Sequence, residues 1–502
     1  MRLQRSYPFH IIAPWLLVLF FVIKASVTGI WIVRPWDVPD EVGHFSYIKD
    51  LAAGRGFPVL HHTLLDEDVW EDFAPEAGST PGSNWIAQHP PLYHVLMVPA
   101  YWIGALFGTS FWGSFYLIRI VSALIFGLGI FVLMKALREA DLSAPVALGL
   151  GLMVASIPNY TYLAGAVNHD GLVFLSGSLA LLYWIRVTQS GSEKDFLLLS
   201  VTLGLGGLVK YTFLVLLPPL ILMSILTLWL GKQFSVKRLL RFLLPVCIPI
   251  GIWMVRNLIV LGAPLPVDTT GFQSDQPLEM SLIEFGRFYP VFSILMQTHW
   301  GLLGWMGDGT LQVRWLQIYS IYQQAYTWPV VLLLSLSLFF LFKGGLKERK
   351  RLAVSLMASL GCVILLFGSG WLAEEHGHYL PLFIIGSAVV GWSIGEFAYR
   401  VRNKNLDTTR FVEIGSLGVF LFFLSVHFYK IYSFSLTSGT LQGTFGRYYL
   451  PVIGCFMLGF FARGLRKFAL APQLVMIFAM IYSGVELYVW LHEAIPFFTV
   501  HD

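Results

Sequence analysis

The sequence predicts an all-α fold, a polytopic membrane bundle of about thirteen transmembrane helices. Of its 502 residues, 56% are hydrophobic and only 12% are charged, whereas roughly a quarter of the residues in soluble domains are charged. The mean hydropathy is +0.69, and apolar runs of about 20 residues recur, the length that a helix needs to cross a hydrocarbon core. These observations exclude a soluble enzyme and predict one transmembrane domain over residues 1–502.

The predicted spans are thirteen apolar runs with polar borders. They lie near residues 11–33, 115–134, 145–163, 171–187, 196–209, 213–230, 240–261, 326–342, 352–369, 380–398, 411–429, 447–462 and 469–490. One more apolar stretch, residues 89–107, contains three prolines, and a crossing there would invert every later loop. We therefore expect this stretch to lie along the membrane interface.

The distribution of charge predicts the orientation of the chain. With the N-terminus inside, the inner segments hold 22 of the 33 Lys and Arg residues, while about 20 of the 29 acidic residues lie outside. Loops rich in Lys and Arg face the cytoplasm. We therefore predict a multi-pass protein of the cell membrane with its N-terminus cytoplasmic and its C-terminus outside. Residues 34–114 form a first outer loop with interfacial helices, and residues 262–325 form a second large outer loop.

Composition argues against a nucleic-acid partner and against cysteine-based sites. The net charge of +4 is too small to indicate a nucleic-acid partner, so we predict none. The three cysteines all lie inside apolar runs, which argues against a disulfide framework or a paired-thiol metal site.

The strongest local signal is a group of acidic and histidine residues directly after the first span. Pro39 favours a first helical turn and Asp37 a cap, which would place Asp40 and His44 on one helix face with Glu41 beside them. Such a set can supply a general base oriented by an imidazole, or ligands for a divalent cation. A divalent cation thus remains possible, with Asp40, Glu41 and His44 as candidate ligands. The alternative is that these acids only cap a helix and solvate a loop.

Cationic residues recur at the predicted outer ends of distant spans. Lys210 ends the fifth span, Arg256 ends the seventh, and Arg447 begins the twelfth. A string similar to that around Arg447 begins the tenth span and has His378 in the corresponding place. Each alone is explained as an interfacial anchor. Their recurrence favours an anionic group at headgroup depth, such as a lipid phosphate.

Other polar residues leave their roles open. Asn168 and Asp170 flank a tight turn between spans three and four, where such residues need no function. Lys24, Arg119 and Glu486 lie within spans, and the sequence alone does not pair them.

Short motifs follow one another in a characteristic order. They are Pro39-Asp40-Glu41-(x)2-His44-Phe45, His89-Pro90-Pro91-Leu92-Tyr93, Val167-Asn168-His169-Asp170, Gly207-Leu208-Val209-Lys210-Tyr211-Thr212, Trp253-(x)2-Arg256-Asn257, Trp300-Gly-Leu-Leu-Gly-Trp305 and Gly446-Arg447-Tyr448-Tyr449-Leu450-Pro451. Together with the span layout, this order resembles the GT-C superfamily of integral-membrane glycosyltransferases, relatives of protein O-mannosyltransferases and lipid A aminoarabinose transferases. The last three motifs resemble a bacterial branch whose substrates are mostly unassigned.

The resemblance implies a GT-C-like fold and a membrane glycosyltransferase. Its donor would be a polyisoprenyl-phosphate sugar, and its acceptor a glycan, lipid or protein of the cell envelope at the outer face of the cytoplasmic membrane, usually with inversion at the anomeric carbon. The resemblance also implies roles for particular residues. The catalytic carboxylates would be Asp40 and Glu41. The donor phosphate would be bound by Lys210, Arg256, Arg447 and His378. Supporting residues of the site would be His44, His89, Asn168, Asp170 and Tyr448.

Two other functions fit part of the pattern. A transporter or flippase of lipid-linked glycans would also guide a phosphate with cations, and so would a polymerase. Transporters carry internal repeats and polar groups near the midplane, whereas the polar clusters here gather at one face. The arrangement therefore favours the transferase.

Overall fold

A computed structural model describes residues 9–74, 81–108, 110–267, 278–289, 291–304, 315–345, 348–368, 380–402, 407–439 and 445–499. These residues form a largely helical bundle. Its helices are α1 (Phe9–Val27), α2 (Glu41–Ala52), α3 (Glu67–Phe73), α4 (Leu92–Ala105), α5 (Trp112–Glu139), α6 (Ala144–Ala155), α7 (Pro158–Ala164), α8 (Asp170–Ser190), α9 (Glu193–Gly207), α10 (Tyr211–Leu214), α11 (Leu217–Leu230), α12 (Val236–Leu261), α13 (Leu282–Phe288), α14 (Val291–Trp300), α15 (Ser320–Gly345), α16 (Arg349–Gly368), α17 (Leu380–Arg402), α18 (Thr408–Ser438), α19 (Ile453–Lys467), α20 (Ala471–Val489) and α21 (Ile495–Thr499).

Helices occupy every predicted apolar run, but the count of thirteen spans is not confirmed. Within the described ranges, nine helices are long and apolar enough to cross a membrane, or ten if the bent pair α6 and α7 counts as one span. Helix α9, one of the predicted spans, has 15 residues and reaches only about 22 Å at 1.5 Å per residue. The chain fits a multi-pass membrane protein.

One short sheet accompanies the helices. Strands β1 (Leu302–Gly304) and β2 (Trp315–Gln317) pair antiparallel, with Leu303 opposite Leu316. Strands of three residues are too short to produce a recognisable alternating pattern. The backbone N–H of Gly304 donates to the hydroxyl of Tyr162 at 3.0 Å, which ties the sheet to α7.

Helices α6 and α7 meet at a break of 73°. Pro158 has no N–H to donate and disfavours helical geometry in the residue before it, so the helix ends at Ala155. Lys24 Nζ donates to the freed carbonyl of Ala155 at 2.6 Å and to both carboxylate oxygens of Glu486 at 2.6 and 2.7 Å. Thr161 donates to the same carboxylate at 2.6 Å. Lys24, held by Glu486, therefore supplies the hydrogen bond that the freed carbonyl of the broken span requires in lipid.

The first long loop (residues 34–114) contains α2, α3, a 3₁₀ turn at Trp85–Gln88, and α4. Helix α2 packs on α4, and α4 packs along α5, which also contacts α1 and α8. These contacts hold the loop over the start of α8. The interfacial placement of its helices remains a prediction.

A 3₁₀ turn at Gly446–Val452 precedes α19 and lies against α8. The close approach requires a glycine, because a Cβ on Gly177 would lie 2.3 Å from the carbonyl oxygen of Pro451. The turn that carries Arg447 is thereby held beside the first residues of α8. Three distant parts of the chain meet at this point: the start of α2, the start of α8 and this turn.

Candidate functional site

Asp40 lies directly before α2 rather than within it. The helix begins at Glu41, and Asp40 has a left-handed backbone (φ 70°) with no side-chain capping bond, a conformation in which Asp is enriched among non-glycine residues. The expectation that Asp37 caps the helix and that Asp40 lies in its first turn is therefore wrong. The backbone carbonyl of Asp40 still accepts from the N–H of His44 at 3.0 Å, but the two side chains have different partners.

The carboxylate of Asp40 has two partners. Trp85 Nε1 donates to Oδ1 at 3.1 Å, and the Arg447 guanidinium donates to Oδ2 at 3.1 Å. The side chain of Asp40 is 32% exposed, whereas that of Arg447 is 12% exposed. The carboxylate is thus held in place and keeps an accessible face for another molecule.

Lys210 and Arg447 meet at Asp170, the first residue of α8. Lys210 Nζ donates to Asp170 Oδ1 at 2.7 Å, and Arg447 Nε lies 3.9 Å from Oδ2. Arg447 Nε is buried and has no hydrogen-bond partner within the described part of the chain. Asn168 Oδ1 accepts from the N–H of Asp170 at 2.9 Å, which orients the first turn of α8. Two cations therefore share one buried carboxylate, and one of their donors is unused.

Tyr448 packs beneath both cations. Lys210 Nζ lies 5.0 Å from the centroid of its ring, and the Arg447 guanidinium carbon lies 5.7 Å from it. The ring face attracts both charges. Tyr448 is thus placed to hold the two cations together.

Four imidazoles form a group beside this site. His44 Nδ1 and His94 Nε2 are 2.9 Å apart, which is a hydrogen bond between a neutral donor and acceptor. The ring centroid of His169 lies 4.5 Å from that of His44 and 4.8 Å from that of His89. His44 and His169 are buried, at 2% and 3% exposure.

Burial and neighbouring cations determine the charge of these groups. Burial lowers the pKa of His44 and His169 well below the ordinary value, and Lys210 lowers both further. The same two causes lower the pKa of His89 to about 3. All three imidazoles are therefore neutral at pH 7, so the positive charge of the site comes from Lys210 and Arg447.

Asp40 is charged at neutral pH, in contrast to the imidazoles. Burial alone would raise the pKa of its carboxyl group, but Arg447 and the hydrogen bond from Trp85 lower it below the ordinary value. Burial lowers the pKa of Lys210, and the ion pair with Asp170 opposes that shift. Asp40 is therefore ionised at neutral pH and available to accept a proton.

Glu41 does not fit the catalytic role predicted for it. Its side chain is fully buried, and its two oxygens accept bonds from Arg119 at 2.8 and 2.6 Å and from the backbone N–H groups of Trp36 and Val167. Arg119 donates its remaining N–H groups to the carbonyls of residues 29, 33 and 34. The carboxylate is saturated, because it accepts four hydrogen bonds and a carboxylate has about four acceptor sites. Arg119 likewise uses all five of its donors within this cluster.

One of the predicted phosphate ligands, Arg256, has other partners in this structure. Arg256 donates to the carbonyls of Phe57 and Pro58 at 3.2 and 3.3 Å and lies over the ring of Trp253, so it fixes the first long loop to α12. His378 lies outside the described residues.

The candidate metal ligands Asp40, Glu41 and His44 do not converge. Asp40 contacts Arg447, Glu41 contacts Arg119, and His44 contacts His94. In the described ranges, no group of three or more His, Cys, Asp or Glu side chains has the geometry to hold a metal ion. The three residues therefore do not fit a shared divalent cation in this arrangement.

An apolar cavity of about 130 Å³ lies near the turn that carries Arg447. Its lining includes Tyr449 from that turn, His299 and Trp300 from α14, and Tyr482 from α20. Tyr449, which lines the cavity, is two residues along the chain from Arg447, and most of the remaining lining consists of apolar side chains of the bundle.

Residues 88–253, about a third of the chain, match the family described as dolichyl-phosphate-mannose-protein mannosyltransferase. The resemblance to GT-C glycosyltransferases is confirmed. The matched range includes His89 and Lys210, whereas Asp40, Arg256 and Arg447 lie outside it.

Three solved structures are similar to the chain at low identity. The protein O-mannosyltransferase Pmt1-Pmt2 complex of S. cerevisiae, bound to the sugar donor, is 16% identical, with a TM-score of 0.34. That match covers 54% of this chain and 36% of the yeast chain, so this chain spans about a third of the length of that relative. ArnT from Cupriavidus metallidurans, bound to undecaprenyl phosphate, is 14% identical over 95% of this chain and 78% of its own, with a TM-score of 0.39. The oligosaccharyltransferase of Archaeoglobus fulgidus, tethered with an acceptor peptide, is 14% identical over 88% and 56%, with a TM-score of 0.34. No curated protein matches the chain.

Sequence reasoning missed several contributors to this candidate site. Trp85 and His94 were not identified, and His169 was treated only as part of a turn. Trp85 and His94 flank the His89-Pro90-Pro91 motif by a few residues on either side. That proximity is the signal that would have marked them.

Proposed function

We propose that the protein is a glycosyltransferase that moves a sugar from a polyisoprenyl-phosphate donor to a cell-envelope acceptor at the outer face of the cytoplasmic membrane. The proposal rests on one observation: the Asp40 carboxylate, Lys210 and Arg447 converge from three distant parts of the chain. The matched family, whose name specifies a dolichyl-phosphate-linked sugar donor, supports a lipid-phosphate leaving group. The proposed orientation has the N-terminus cytoplasmic and the C-terminus outside.

Lys210 and Arg447 bind the donor phosphate in this proposal. Arg447 Nε is an unused donor, and guanidinium groups bind phosphate through paired hydrogen bonds. Asp170 keeps the two cations together when the donor is absent. Because a bound phosphate neutralises part of the charge of Arg447, it also weakens the influence of that charge on the Asp40 pKa.

Asp40 acts as the general base. The acceptor hydroxyl oxygen attacks the anomeric carbon from the face opposite the phosphate, and its proton passes to Asp40 Oδ. The bond between the anomeric carbon and the phosphate oxygen breaks, and the lipid phosphate leaves with that electron pair. Lys210 and Arg447 stabilise the developing charge. The configuration at the anomeric carbon is inverted, because attack and departure occur on opposite faces.

The prenyl chain of the donor is expected to start in the apolar cavity beside Tyr449. That cavity is lined almost entirely by apolar side chains, and its lining residue Tyr449 is two residues along the chain from Arg447. A lipid tail entering there would leave its phosphate beside the two cations. Glu41, Arg119 and Asn168 then serve as positioning residues for the starts of α2 and α8.

The test is a turnover assay on the full chain reconstituted in nanodiscs. A panel of undecaprenyl-phosphate monosaccharides is incubated with envelope lipid and glycan acceptors, and the released undecaprenyl phosphate is measured. Asp40→Asn should lower turnover by about 10²–10⁴-fold, the range for loss of a general base. Lys210→Ala should also lower turnover and weaken undecaprenyl phosphate binding.

Glu193→Gln is the matched control, because this acid-to-amide change affects a carboxylate that is 60% exposed and lies at the start of α9, about 22 Å along that helix from the end that precedes Lys210. Its turnover should equal that of the unsubstituted protein. Retained turnover in both Asp40→Asn and Lys210→Ala at normal expression would contradict the proposal. Movement of the intact lipid-linked sugar across the bilayer without release of undecaprenyl phosphate would instead indicate a flippase.

A further inference from the structure

A cavity of about 400 Å³ lies at the end of the bundle opposite the candidate site. The span Gly446–Lys467 has Arg447 near its beginning and Arg466 near its end, which places these two residues about 30 Å apart along a helix. Five cationic and three acidic residues line the cavity. The cationic residues are Arg400, Arg410, Arg463, Arg466 and Lys467.

Two buried carboxylates organise these arginines. Glu396, 2% exposed, accepts from Arg400 Nε at 2.8 Å and from Arg463 Nη1 at 3.4 Å. This carboxylate belongs to α17, whereas Arg463 belongs to α19. The ion pairs therefore join the ends of two helices.

Glu413 forms the second centre of the network. Arg410 from the same helix and Arg466 from α19 both donate to its carboxylate, whose side chain is 6% exposed. Arg466 Nε also donates to the carbonyl of Ala140 at 3.2 Å. The network thus joins α18, α19 and the end of α5.

Positive charge remains in excess after these pairs are formed. Arg351 donates to the carbonyl of Gly344, and a Cβ on Gly344 would lie 2.5 Å from Nη2 of Arg463. Two guanidinium groups therefore approach the same glycine. With Arg351, its ion-pair partner Glu348, and Glu396 included, six cationic residues face five acidic ones.

Arg463 has an unused donor at this cavity. Its side chain is 10% exposed, and its buried Nε has no hydrogen-bond partner among the residues that the structure describes. A buried polar group without a partner costs free energy, and a buried charge costs more. An anion in the cavity would supply the missing acceptor and balance the excess charge.

We propose that this cavity binds one phosphate group, carried by an anionic lipid headgroup or present as free phosphate. Guanidinium groups match the tetrahedral oxygens of phosphate, and clusters of Lys and Arg at a membrane surface attract anionic lipid headgroups. The proposal is independent of the transferase assignment, because it involves other residues at the other end of the bundle.

The experiment uses the full chain with Lys210→Ala as a background, which removes the contribution of the candidate site. Native mass spectrometry measures retention of phosphatidylglycerol and phosphatidylcholine, and thermal unfolding is recorded with and without inorganic phosphate. We expect phosphatidylglycerol to be retained at least 10-fold better than phosphatidylcholine. Arg463→Gln should reduce that retention about 10-fold, and the exposed Lys467→Gln should reduce it by a smaller factor without affecting folding.

Lys237→Gln is the matched control, because Lys237 is an exposed lysine in the first turn of α12 and does not line the cavity. Stabilisation by inorganic phosphate that Arg463→Gln abolishes would identify free phosphate as the source. Retention of phosphatidylglycerol with no response to inorganic phosphate would identify the lipid. Equal retention of both lipids together with no response to phosphate would overturn the proposal, as would equal losses in Lys467→Gln and Lys237→Gln.

Discussion

Asp40 and Glu41 are adjacent in sequence, yet their surroundings differ in almost every respect. Glu41 is fully buried and accepts four hydrogen bonds, two of them from Arg119. Asp40 is about one-third exposed, has a left-handed backbone and shares Arg447 with Asp170. The difference shows that two adjacent acids can have separate roles: the saturated carboxylate fixes the backbone, whereas the accessible carboxylate can contact another molecule.

The largest expected effect tests the structural half of this comparison. Arg119→Ala leaves the Glu41 carboxylate buried without its cation and should lower the free energy of unfolding by about 3–5 kcal/mol. Denaturant unfolding in detergent micelles measures the change. Arg186→Ala is the control, because Arg186 and Glu139 are 29% and 33% exposed and such pairs contribute about 0–1 kcal/mol. Equal losses in the two variants would contradict the distinction.

The amide substitutions of the two acids compare them directly. Glu41→Gln should cost about 1–3 kcal/mol of unfolding free energy, because the amide nitrogen cannot accept the bonds that a carboxylate oxygen accepts. Asp40→Asn should cost less than about 1 kcal/mol, since Asn also tolerates the left-handed conformation. Thermal unfolding of both proteins in the same detergent measures the difference. A larger loss in Asp40→Asn would reverse the comparison.

The pH dependence of stability distinguishes the imidazole group from Asp40. The pKa values of His44, His89 and His169 are lowered in the folded state, so the unfolded chain binds more protons below about pH 6.5. Stability is therefore complete above that pH and falls as the pH decreases, by up to about 1.4 kcal/mol per pH unit for each group. Asp40, whose pKa is also lowered, stabilises the fold fully above its unfolded pKa of about 3.9, so it changes the stability only as the pH falls below that value.

Unfolding measured at pH 7.5, 6.5 and 5.5 tests this expectation. His169→Asn should reduce the slope between the last two values, whereas His62→Asn, at an exposed position, should not. An unchanged slope in His169→Asn would show that the imidazoles do not cause the pH dependence.

The smallest expected effect concerns Arg256. Its guanidinium is engaged by loop carbonyls and by Trp253, so Arg256→Ala should lower kcat/KM less than 10-fold, below about 1.4 kcal/mol of transition-state stabilisation. Lys210→Ala in the same assay should have a larger effect. Equal losses would place Arg256 among the phosphate ligands after all.

The helices could be predicted from the sequence because hydropathy is a local property of the chain. Asp40, Lys210 and Arg447 were identified by their charge at the ends of apolar runs, and the structure brings these three together. The partner of Glu41 could not be predicted, because Arg119 lies 78 residues away and only tertiary packing selects it. The start of α2 was misplaced for a related reason: Asp tolerates the left-handed backbone of Asp40, but its side-chain partners Trp85 and Arg447 lie 45 and 407 residues away, where a local pattern does not reach.

The bend between α6 and α7 constrains how the protein can move. Straightening it would withdraw the Ala155 carbonyl from Lys24 and leave that largely buried ammonium group with one partner fewer. These bonds hold the bend, so we expect α6 and α7 to keep their relative angle. Any motion that opens the bundle is therefore expected in segments that these bonds do not hold.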